Sequence, residues 1–428
     1  MKRGWHRRLV ALAGLGALLV LALLVAWWSV RPAKPDAFYA RPAQVPPEPG
    51  VLLRQAPFER GVPVGAQAWR VLYTTTDAHG AAALASAIVM QSRAAPPGAR
   101  PVIAWTHGTT GVVPGCAPTL LDEPFAHLPA LAGLLERGWL LVATDYAGLA
   151  TAGGPHPYLV GEGQARSALD ALRAIRHLHE VEPAAQTVVW GHSQGGHAAL
   201  WTGILAPSYA PELAIAGVAA AAPASDLRPL IDAVQHTPVG RIMSSYVLRA
   251  YADTYPDVRW ADYAGSPLAR WAARDMSGRC LVGGQAMLSA AQALALGGSF
   301  FSAPPTGGAL GARLAQNTPE RLLPQPLLVA QGEQDDLVLP EVQARWASRR
   351  CAAGQPLTLR AYAGRDHLSL VAPDSPFVAD LLRWTEDRFA GRPAASTCAA
   401  SPRTGTAPST FGKTEPDVPN TSLEPMRR

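Results

Sequence analysis

Residues 187–196 read Thr-Val-Val-Trp-Gly-His-Ser-Gln-Gly-Gly, an apolar run that leads directly into a Gly-x-Ser-x-Gly motif. The residues after it, Ala-Ala-Leu-Trp at 198–201, favour a helix. A serine that attacks a carbonyl carbon must project its hydroxyl from the end of a sheet. A sharp turn from strand to helix allows this only when the residues two before and two after the serine lack side chains. Gly191 and Gly195 meet that need, so Ser193 is the candidate nucleophile.

The surrounding chain alternates short apolar runs with helical patterns. Most of the runs are unbroken, as expected for strands buried on both faces of a sheet. They are 102–106, 140–145, 187–190, 215–221, 327–331 and 357–362. Two more runs, 69–75 and 84–90, lie on either side of a polar turn and predict an antiparallel hairpin. Helical spacing occurs between the runs, so the alternation predicts a mainly parallel central sheet flanked by helices. Together with the Gly-x-Ser-x-Gly motif at a strand-to-helix turn, it predicts the α/β-hydrolase fold.

One interval breaks this alternation. Roughly 100 residues pass between Asp226 and Pro326 without a convincing strand, which is too long for a structureless connection. We expect an inserted, mostly helical cap over 228–325, with the core of the fold formed by 55–227 and 326–391. The apolar residues of this cap either line an acyl-chain pocket or pack the cap itself.

A serine hydroxyl is a weak nucleophile until a histidine accepts its proton and a carboxylate orients that histidine. In this fold the acid and then the histidine follow the serine along the chain. Only His236 and His367 lie beyond His197, and only His367 follows the last expected strand, whereas His236 falls in the cap. We therefore predict His367 as the base.

The acid is expected in the loop after the run 327–331. Glu333, Asp335 and Asp336 all lie there, and neighbouring residues of an extended turn point in different directions. Asp335 is the preferred acid and Asp336 the main alternative. Asp366, beside the histidine, is interpreted as a turn residue.

Negative charge that develops on the carbonyl oxygen needs preorganised N–H donors, an oxyanion hole. Gln194 follows the nucleophile at the start of the predicted helix, where the helix dipole also helps. The loop 107–111 follows the run 102–106 directly, and Gly108 within it lets the backbone approach. The backbone N–H groups of Thr109 and Gln194 are therefore the candidate donors. His192 and His197 flank the serine and are interpreted as packing or bonding locally.

The net charge of +5 is concentrated at the N-terminus, because residues 1–35 hold six basic residues and no acid, which leaves −1 for the rest. From Leu9 to Val30, 22 residues carry no charge, enough for a helix to cross a hydrocarbon core. Residues 1–35 are predicted to be a membrane anchor, with a cleaved signal peptide as the alternative. Either one places the rest of the chain outside the cytoplasm, and no nucleic-acid partner is expected.

Composition marks two segments outside the folded core. Residues 36–54 continue a proline-rich stretch and predict an extended spacer. Residues 392–428 are rich in Pro, Ser and Thr with almost no apolar periodicity, which predicts a disordered tail.

The cysteines form an even set without metal-ligand spacing, which is typical of disulfides in an exported protein. They are Cys116, Cys280, Cys351 and Cys398. Spacing alone leaves their pairing open, and four free buried thiols are the alternative. No phosphate loop, dinucleotide fingerprint or zinc spacing occurs in the sequence, so no cofactor and no metal are predicted.

Several motifs together carry a family resemblance. They are Trp105-Thr106-His107-Gly108-Thr109-Thr110-Gly111, Gly138-Trp139, Ala143-Thr144-Asp145-Tyr146, His156-Pro157-Tyr158 and Gly191-His192-Ser193-Gln194-Gly195-Gly196. This joint pattern resembles the secretory lipase family of α/β-hydrolases, which includes fungal type A lipases. The resemblance covers roughly residues 55–390.

The resemblance implies a helical cap, no metal, and hydrolysis of acyl esters up to triacylglycerols. It places the catalytic serine, acid and histidine on Ser193, Asp335 and His367, and the oxyanion donors on Thr109 and Gln194. It also implies two disulfides, Cys116 with Cys280 and Cys351 with Cys398. The N-terminal anchor and the long C-terminal tail depart from a freely secreted lipase.

These features predict a serine carboxylic-ester hydrolase, a lipase or esterase that works through an acyl-enzyme on Ser193. Two alternatives remain: an acyltransferase, in which an alcohol replaces water, and a membrane-tethered binding protein that has lost turnover. Product analysis with added alcohols separates the first. The complete set of serine, acid, histidine and oxyanion loop argues against the second.

Overall fold

The computed structural model describes residues 10, 12–18, 20–21, 25, 30–151 and 153–398. Nine strands in these residues form one sheet, in the order β1-β2-β3-β5-β4-β6-β7-β8-β9. Their bounds are β1 Leu52–Phe58, β2 Ala66–Thr76, β3 Ala82–Ser92, β4 Arg100–Thr106, β5 Leu140–Thr144, β6 Pro183–His192, β7 Ala214–Ala221, β8 Leu327–Gly332 and β9 Leu357–Tyr362.

Strand pairing divides the sheet into two parts. β1, β2, β3 and β5 pair antiparallel in that order, and the pairs from β5 through β4 to β9 are all parallel. The mainly parallel sheet predicted from the sequence is confirmed, and every predicted run coincides with a strand, although the run 140–145 extends one residue beyond β5. β1 was not predicted, because Arg54, Gln55 and Pro57 interrupt its apolar pattern.

Helices flank the sheet on both faces. In chain order they are α1 Leu131–Glu136, α2 Gly161–Ala174, α3 Gln194–Tyr209, α4 Leu227–Val234, α5 Pro238–Thr254, α6 Trp260–Tyr263, α7 Pro267–Ser277, α8 Gly283–Leu296, α9 Gly308–Gln316, α10 Pro340–Ala352 and α11 Pro376–Phe389. Short 3-10 turns cover Ala37–Tyr39, Pro114–Cys116, Pro118–Leu120, Ile175–His177 and Ser369–Val371.

Alternate residues of β6 enter two different apolar cores. Trp190 packs in the core that includes α11, and Val189 packs in the core that includes α2 and α3. A strand buried in this way on both faces must be apolar at every position, as the sequence between Thr187 and Trp190 is. The two cores hold β6 rigidly, and β6 leads into the Ser193 turn.

Between β7 and β8 the chain leaves the sheet for residues 222–326, which we call the helical insertion. All of its residues are described; they include α4 to α9 and form no strand. α5 is its centre, since each of the other five helices contacts it. The insertion occupies the interval in which the sequence predicts a cap.

Two disulfides join distant parts of the chain. Cys116, in the loop that follows β4, bonds to Cys280 of the helical insertion. Cys351 of α10 bonds to Cys398. This is the pairing that the family resemblance implies.

The segment predicted as a spacer, 36–54, lies against the domain. Tyr39 is buried, Asp36 forms an ion pair with Arg70 at 2.7 Å, and β1 already begins at Leu52. Prolines favour extended backbone, but the aromatic side chain of Tyr39 gives this segment an apolar anchor.

The predicted tail divides at Cys398. Residues 392–398 return to the sheet, where the Thr397 N–H donates to the Leu357 carbonyl at 2.9 Å. Residues 399–428 lie outside the described residues, as does most of the predicted anchor. Within the described part of the chain, no helix combines the length and the apolar character needed to cross a membrane.

Candidate active site

Ser193 lies at the turn between β6 and α3 in a strained backbone conformation. Its φ is +58° and its ψ is −121°, a region that costs a non-glycine residue on the order of 1–3 kcal/mol. A Cβ atom on Gly191 would lie 2.1 Å from the Gly195 carbonyl oxygen, and one on Gly195 would lie 1.9 Å from that of Thr106. Both glycines are therefore required for the turn that exposes the serine hydroxyl.

His367 and Asp335 continue from Ser193 in one hydrogen-bonded series. His367 Nε2 lies 2.9 Å from Ser193 Oγ, and His367 Nδ1 lies 2.8 Å from Asp335 Oδ2. Both side chains are buried. Their loops follow β9 and β8, and the carboxyl ends of parallel strands meet at one edge of the sheet. This topology brings together three residues that are far apart in the sequence.

Asp335 is held by the backbone of its own loop. Its Oδ1 accepts the N–H of Leu337 at 2.9 Å and that of Val338 at 2.7 Å. Glu333 and Asp336 are exposed and do not reach His367. The structure thus separates Asp335 from the alternatives that the sequence left open.

The remaining acid candidate, Asp366, and the remaining histidine candidate, His236, do not take part in the hydrogen bonds to Ser193. Asp366 caps its own turn, since its Oδ1 accepts the N–H groups of Leu368 and Ser369, and the bonds from Ser369 lower the pKa of this carboxyl. His236 is exposed on the helical insertion. Neither residue approaches Ser193.

The predicted oxyanion donors lie on either side of the serine. Gln194 is the first residue of α3, so its backbone N–H is free of a helical partner. The loop that carries Thr109 runs beside the nucleophile, and a Cβ atom on Gly108 would lie 3.8 Å from Ser193 Cβ. Thr109 Oγ1 lies 3.0 Å from Tyr158 Oη. Thr109, Gln194 and Ser193 line the same cavity.

That cavity has a volume of about 70 Å³ and lies between the sheet edge and the helical insertion. Its walls are mainly apolar. The lining residues are Thr109, Tyr158, Leu159, Ser193, Gln194, Ala224, Leu227, Leu230, Ile231, Val234, Met243, Ser244, Val247, Leu314, Leu337 and Val338. An apolar chain bound here would have its first carbon atoms next to the serine hydroxyl.

His192 supports the histidine of the series. Its Nε2 lies 2.9 Å from the His367 carbonyl oxygen, and the two rings contact each other with centroids 4.7 Å apart and planes tilted by 37°. Burial, with the nearby His367, places the pKa of His192 well below its ordinary range, so the ring is neutral and its Nε2–H donates. The sequence predicts a local bond for His192 but not its partner.

Buried histidines and tyrosines lie behind the loop 107–111. His156 Nε2 lies 3.2 Å from Gln194 Nε2, and His107 packs on Tyr146 with ring centroids 4.6 Å apart. Burial lowers the pKa of His156 to about 3 and that of His107 to about 4. Both histidines lie within the motifs that carry the family resemblance, but the sequence predicts no role for them, because nothing in a single sequence marks a side chain as the support of another.

Asp145 lies beside these side chains, and no cationic side chain among the described residues bonds to its carboxylate. It is fully buried and accepts bonds from Ser86 Oγ and from the N–H and Oγ1 of Thr119. Burial raises its pKa to about 6, although these hydrogen bonds oppose the shift. Asp145 therefore supports the loops around the site and does not face the cavity.

The family model described as secretory lipase matches residues 126–397 of this chain. Lipase 6 of Candida albicans is 23% identical over 419 residues, which cover 90% of this chain and 88% of that protein. A Mycobacterium tuberculosis protein called a probable inactive lipase is 25% identical, covering 85% of this chain and 84% of its own length.

Solved structures show the same fold. The closed state of Candida antarctica lipase A superposes with a TM-score of 0.68 at 18% identity, covering 85% of this chain and 87% of the lipase. A mutant of a rice cell wall degrading esterase from Xanthomonas oryzae superposes with a TM-score of 0.61 at 17% identity, covering 81% of this chain and all of the esterase.

Proposed function

This chain belongs to the secretory lipase family, and we propose that it is an active carboxylic-ester hydrolase with Ser193 as its nucleophile. The observation that supports this most is the series from Asp335 through His367 to Ser193, which ends in the apolar cavity. Family membership alone does not establish activity, because a relative that covers a similar share of this chain is called a probable inactive lipase.

The first half of the reaction forms an acyl-enzyme. His367 Nε2 accepts the Ser193 proton while Oγ attacks the ester carbonyl carbon, and the negative charge moves to the carbonyl oxygen. The backbone N–H groups of Thr109 and Gln194 stabilise that charge, and Asp335 stabilises the imidazolium. The tetrahedral intermediate then breaks its bond to the alcohol oxygen, which leaves with the proton from His367.

The second half repeats these steps with water. His367 takes a proton from water as the water oxygen attacks the acyl carbon, and the same donors hold the oxyanion. The bond to Ser193 Oγ breaks, the serine recovers its proton from His367, and the carboxylic acid leaves. Asp335 keeps its position throughout, because its Oδ1 is held by two N–H donors.

The cavity suits the acyl part of the ester. Leu230, Ile231 and Val234 of α4 and Val247 of α5 line it, and they offer no charge to an acyl chain. Family membership indicates lipid esters, and we propose that the helical insertion acts as the cap that selects among them.

The protein is proposed to act outside the cytoplasm. Two disulfides are typical of that environment, and they agree with the secretory character of the family. We further propose that the uncharged run from Leu9 to Val30 holds the chain at a membrane, as its length and the basic residues before it predict.

The test is labelling with a fluorophosphonate, together with hydrolysis of nitrophenyl esters of increasing acyl length. Full-length protein in mild detergent is compared with Ser193→Ala, which should lose labelling and at least about 10⁴-fold in kcat. Ser208→Ala is the matched control, because Ser208 is an exposed serine at the far end of the same helix.

The outcomes are distinct. Labelling and turnover that disappear in Ser193→Ala and persist in Ser208→Ala support the proposal. A wild-type protein that folds but neither labels nor hydrolyses any ester refutes it, and leaves a binding role. Transfer of the acyl group to an added alcohol in preference to water indicates an acyltransferase.

A further inference from the structure

Helix α8 presents an unusual outer face. The sequence from Leu281 to Phe301 contains no charged residue, although α8 lies at the surface of the helical insertion. Met287 is 74% exposed and Leu294 is 63% exposed. With Ala291 they recur at positions i, i+4 and i+7, so they form one apolar stripe along the helix. We call this stripe the α8 face.

The opposite side of α8 packs on the insertion. Ser289 and Ala293 are buried, and Arg241 of α5 donates to the Ala293 carbonyl at 2.6 Å. α8 is therefore fixed in orientation, and the α8 face points away from α5. A surface helix ordinarily carries charged residues on its outer side, whereas an apolar outer side marks a surface made for an apolar partner.

The N-terminal segment meets the domain at the start of this helix. A Cβ atom on Gly284 would lie 3.3 Å from Val30 Cγ1, so Val30 lies directly on the first turn of α8. Gln285 Nε2 donates to the Arg31 carbonyl at 3.3 Å. Val30 is the last residue of the uncharged run of the sequence, so the run joins the domain next to the α8 face.

The segment that follows Val30 is tied down. A Cβ atom on Gly115 would lie 2.1 Å from the Ala33 carbonyl oxygen, so the backbone there packs tightly beside the Cys116–Cys280 disulfide. Tyr39 is buried a few residues later. Because this connection is fixed and short, a membrane entered at Val30 has a defined side of the domain turned toward it.

The neighbouring helix α7 carries side chains suited to the same surface. Leu268 is 67% exposed and Trp271 is 56% exposed, and Trp271 lies with Arg270 and Arg274 along a shallow groove. Asp275 also lines this groove, and its carboxylate pairs with Arg279 at 2.5 Å. Indole rings favour the boundary between lipid and water, and arginines attract anionic headgroups. α7 contacts both α5 and α8.

From these observations we infer that the α8 face docks on a lipid bilayer, the same bilayer that the N-terminal run enters at Val30. Met287, Ala291 and Leu294 reach into the headgroup region, and Trp271 lies at its edge. α5 lies between this surface and the cavity, since it contacts α8 and also supplies Met243 and Val247 to the cavity wall. The inference rests on the membrane anchor proposed above, and it does not depend on turnover at Ser193.

The experiment places a fluorophore on the α8 face. Met287→Cys is labelled with the NBD fluorophore in full-length protein, reconstituted in phosphatidylcholine and phosphatidylglycerol vesicles. Arg345→Cys is the matched control, because Arg345 is exposed on α10. The readouts are the NBD emission maximum and quenching by lipids that carry a nitroxide on the acyl chain. All four native cysteines are in disulfides, so each variant has one free thiol.

We expect NBD at position 287 to shift to shorter wavelength and to be quenched by the nitroxide lipids, while NBD at position 345 shows neither effect. Equal, water-like emission at both positions refutes the inference. A shift at 287 without quenching by the lipids also refutes it, because it indicates contact with a second copy of the chain. The circular dichroism spectrum of Met287→Cys should match that of the wild type, which verifies the fold without relying on turnover.

Discussion

The sheet edge around Ser193 and the helical insertion enclose one cavity but are built in different ways. At the sheet edge, polar groups are fixed by specific partners: Asp335 Oδ1 accepts two backbone N–H groups, and His192 holds the His367 carbonyl. The insertion contributes mainly apolar side chains to the cavity, such as Leu230 and Ile231. The reacting atoms are thus positioned by hydrogen bonds, and the space for substrate is shaped by packing.

The largest effect is expected from Asp335→Asn. This variant tests whether specific hydrogen bonds position the reacting groups at the sheet edge. An amide has the same shape as the carboxylate, but it either presents an N–H to His367 Nδ1 or holds the imidazole in the wrong tautomer. We therefore expect kcat to fall about 10⁴-fold. Asp336→Asn is the control, since the neighbouring carboxylate is exposed. The measurement is steady-state hydrolysis of nitrophenyl butyrate.

If both variants lose activity equally, the two carboxylates share a general electrostatic effect and the specific bond at 2.8 Å to His367 Nδ1 is not what matters. A loss confined to Asp336→Asn would transfer the role of the acid to that residue. Retained folding is verified by circular dichroism for each variant.

The sequence predicts the hydrogen-bonded sheet edge better than it predicts the apolar packing of the insertion. Ser193 and His367 were predictable because a strained turn needs glycines at fixed spacing, and because strand order restricts where the base can lie. The choice of Asp335 over Asp336 depends on which carboxylate the backbone of residues 337 and 338 can reach, and spacing alone does not contain that. Packing against the domain likewise orders residues 36–54, although their composition predicts an extended spacer.

The insertion was predictable as a mostly helical interval without strands, but the sequence does not give the faces that its helices bury. Its helices bury different faces against α5, and which residue meets the cavity depends on helix rotation and crossing angle. Val247 and Met287 are both apolar, yet Val247 lines the cavity and Met287 is exposed at the surface. Sequence therefore left open whether these residues form a pocket or the core of the cap.

A smaller and selective effect is expected from Val247→Phe. The added ring fills cavity volume next to the acyl chain, so kcat/KM for octanoate esters should fall about tenfold or more, while acetate esters change little. Val239→Phe on the same helix is the matched control, because Val239 is 49% exposed and does not line the cavity. The measurement is the ratio of kcat/KM for the two esters.

Fluorophosphonate labelling of Val247→Phe should match the wild type, because a small probe reacts with Ser193 at the sheet edge and does not need the acyl-chain part of the cavity. If labelling is lost as well, the insertion also positions the reacting atoms, and the division between the two regions fails. If the chain-length ratio is unchanged, the acyl chain binds elsewhere.

The smallest effect concerns the buried histidines that support the sheet edge. The pKa of His156 is lowered by burial from 6.5 to about 3, so the folded protein keeps this ring neutral. The unfolded chain takes up the proton as the pH falls through 6.5. The neutral ring therefore contributes its full stability above pH 6.5, and this contribution is lost progressively as the pH falls from 6.5 toward 3. Asp145, with a pKa raised to about 6, has the opposite sign.

His156→Gln removes this proton linkage and leaves Asp145 in place, so comparing the two proteins cancels the aspartate. Between about pH 7 and pH 5.5 the wild type should lose about 1 kcal/mol more of its free energy of unfolding than the variant, measured by urea titration. His177→Gln is the control, because His177 is exposed and faces water in both states. An equal loss in all three proteins would mean that His156 is solvated in the folded protein, and that the sheet edge is less rigid than its hydrogen bonds indicate.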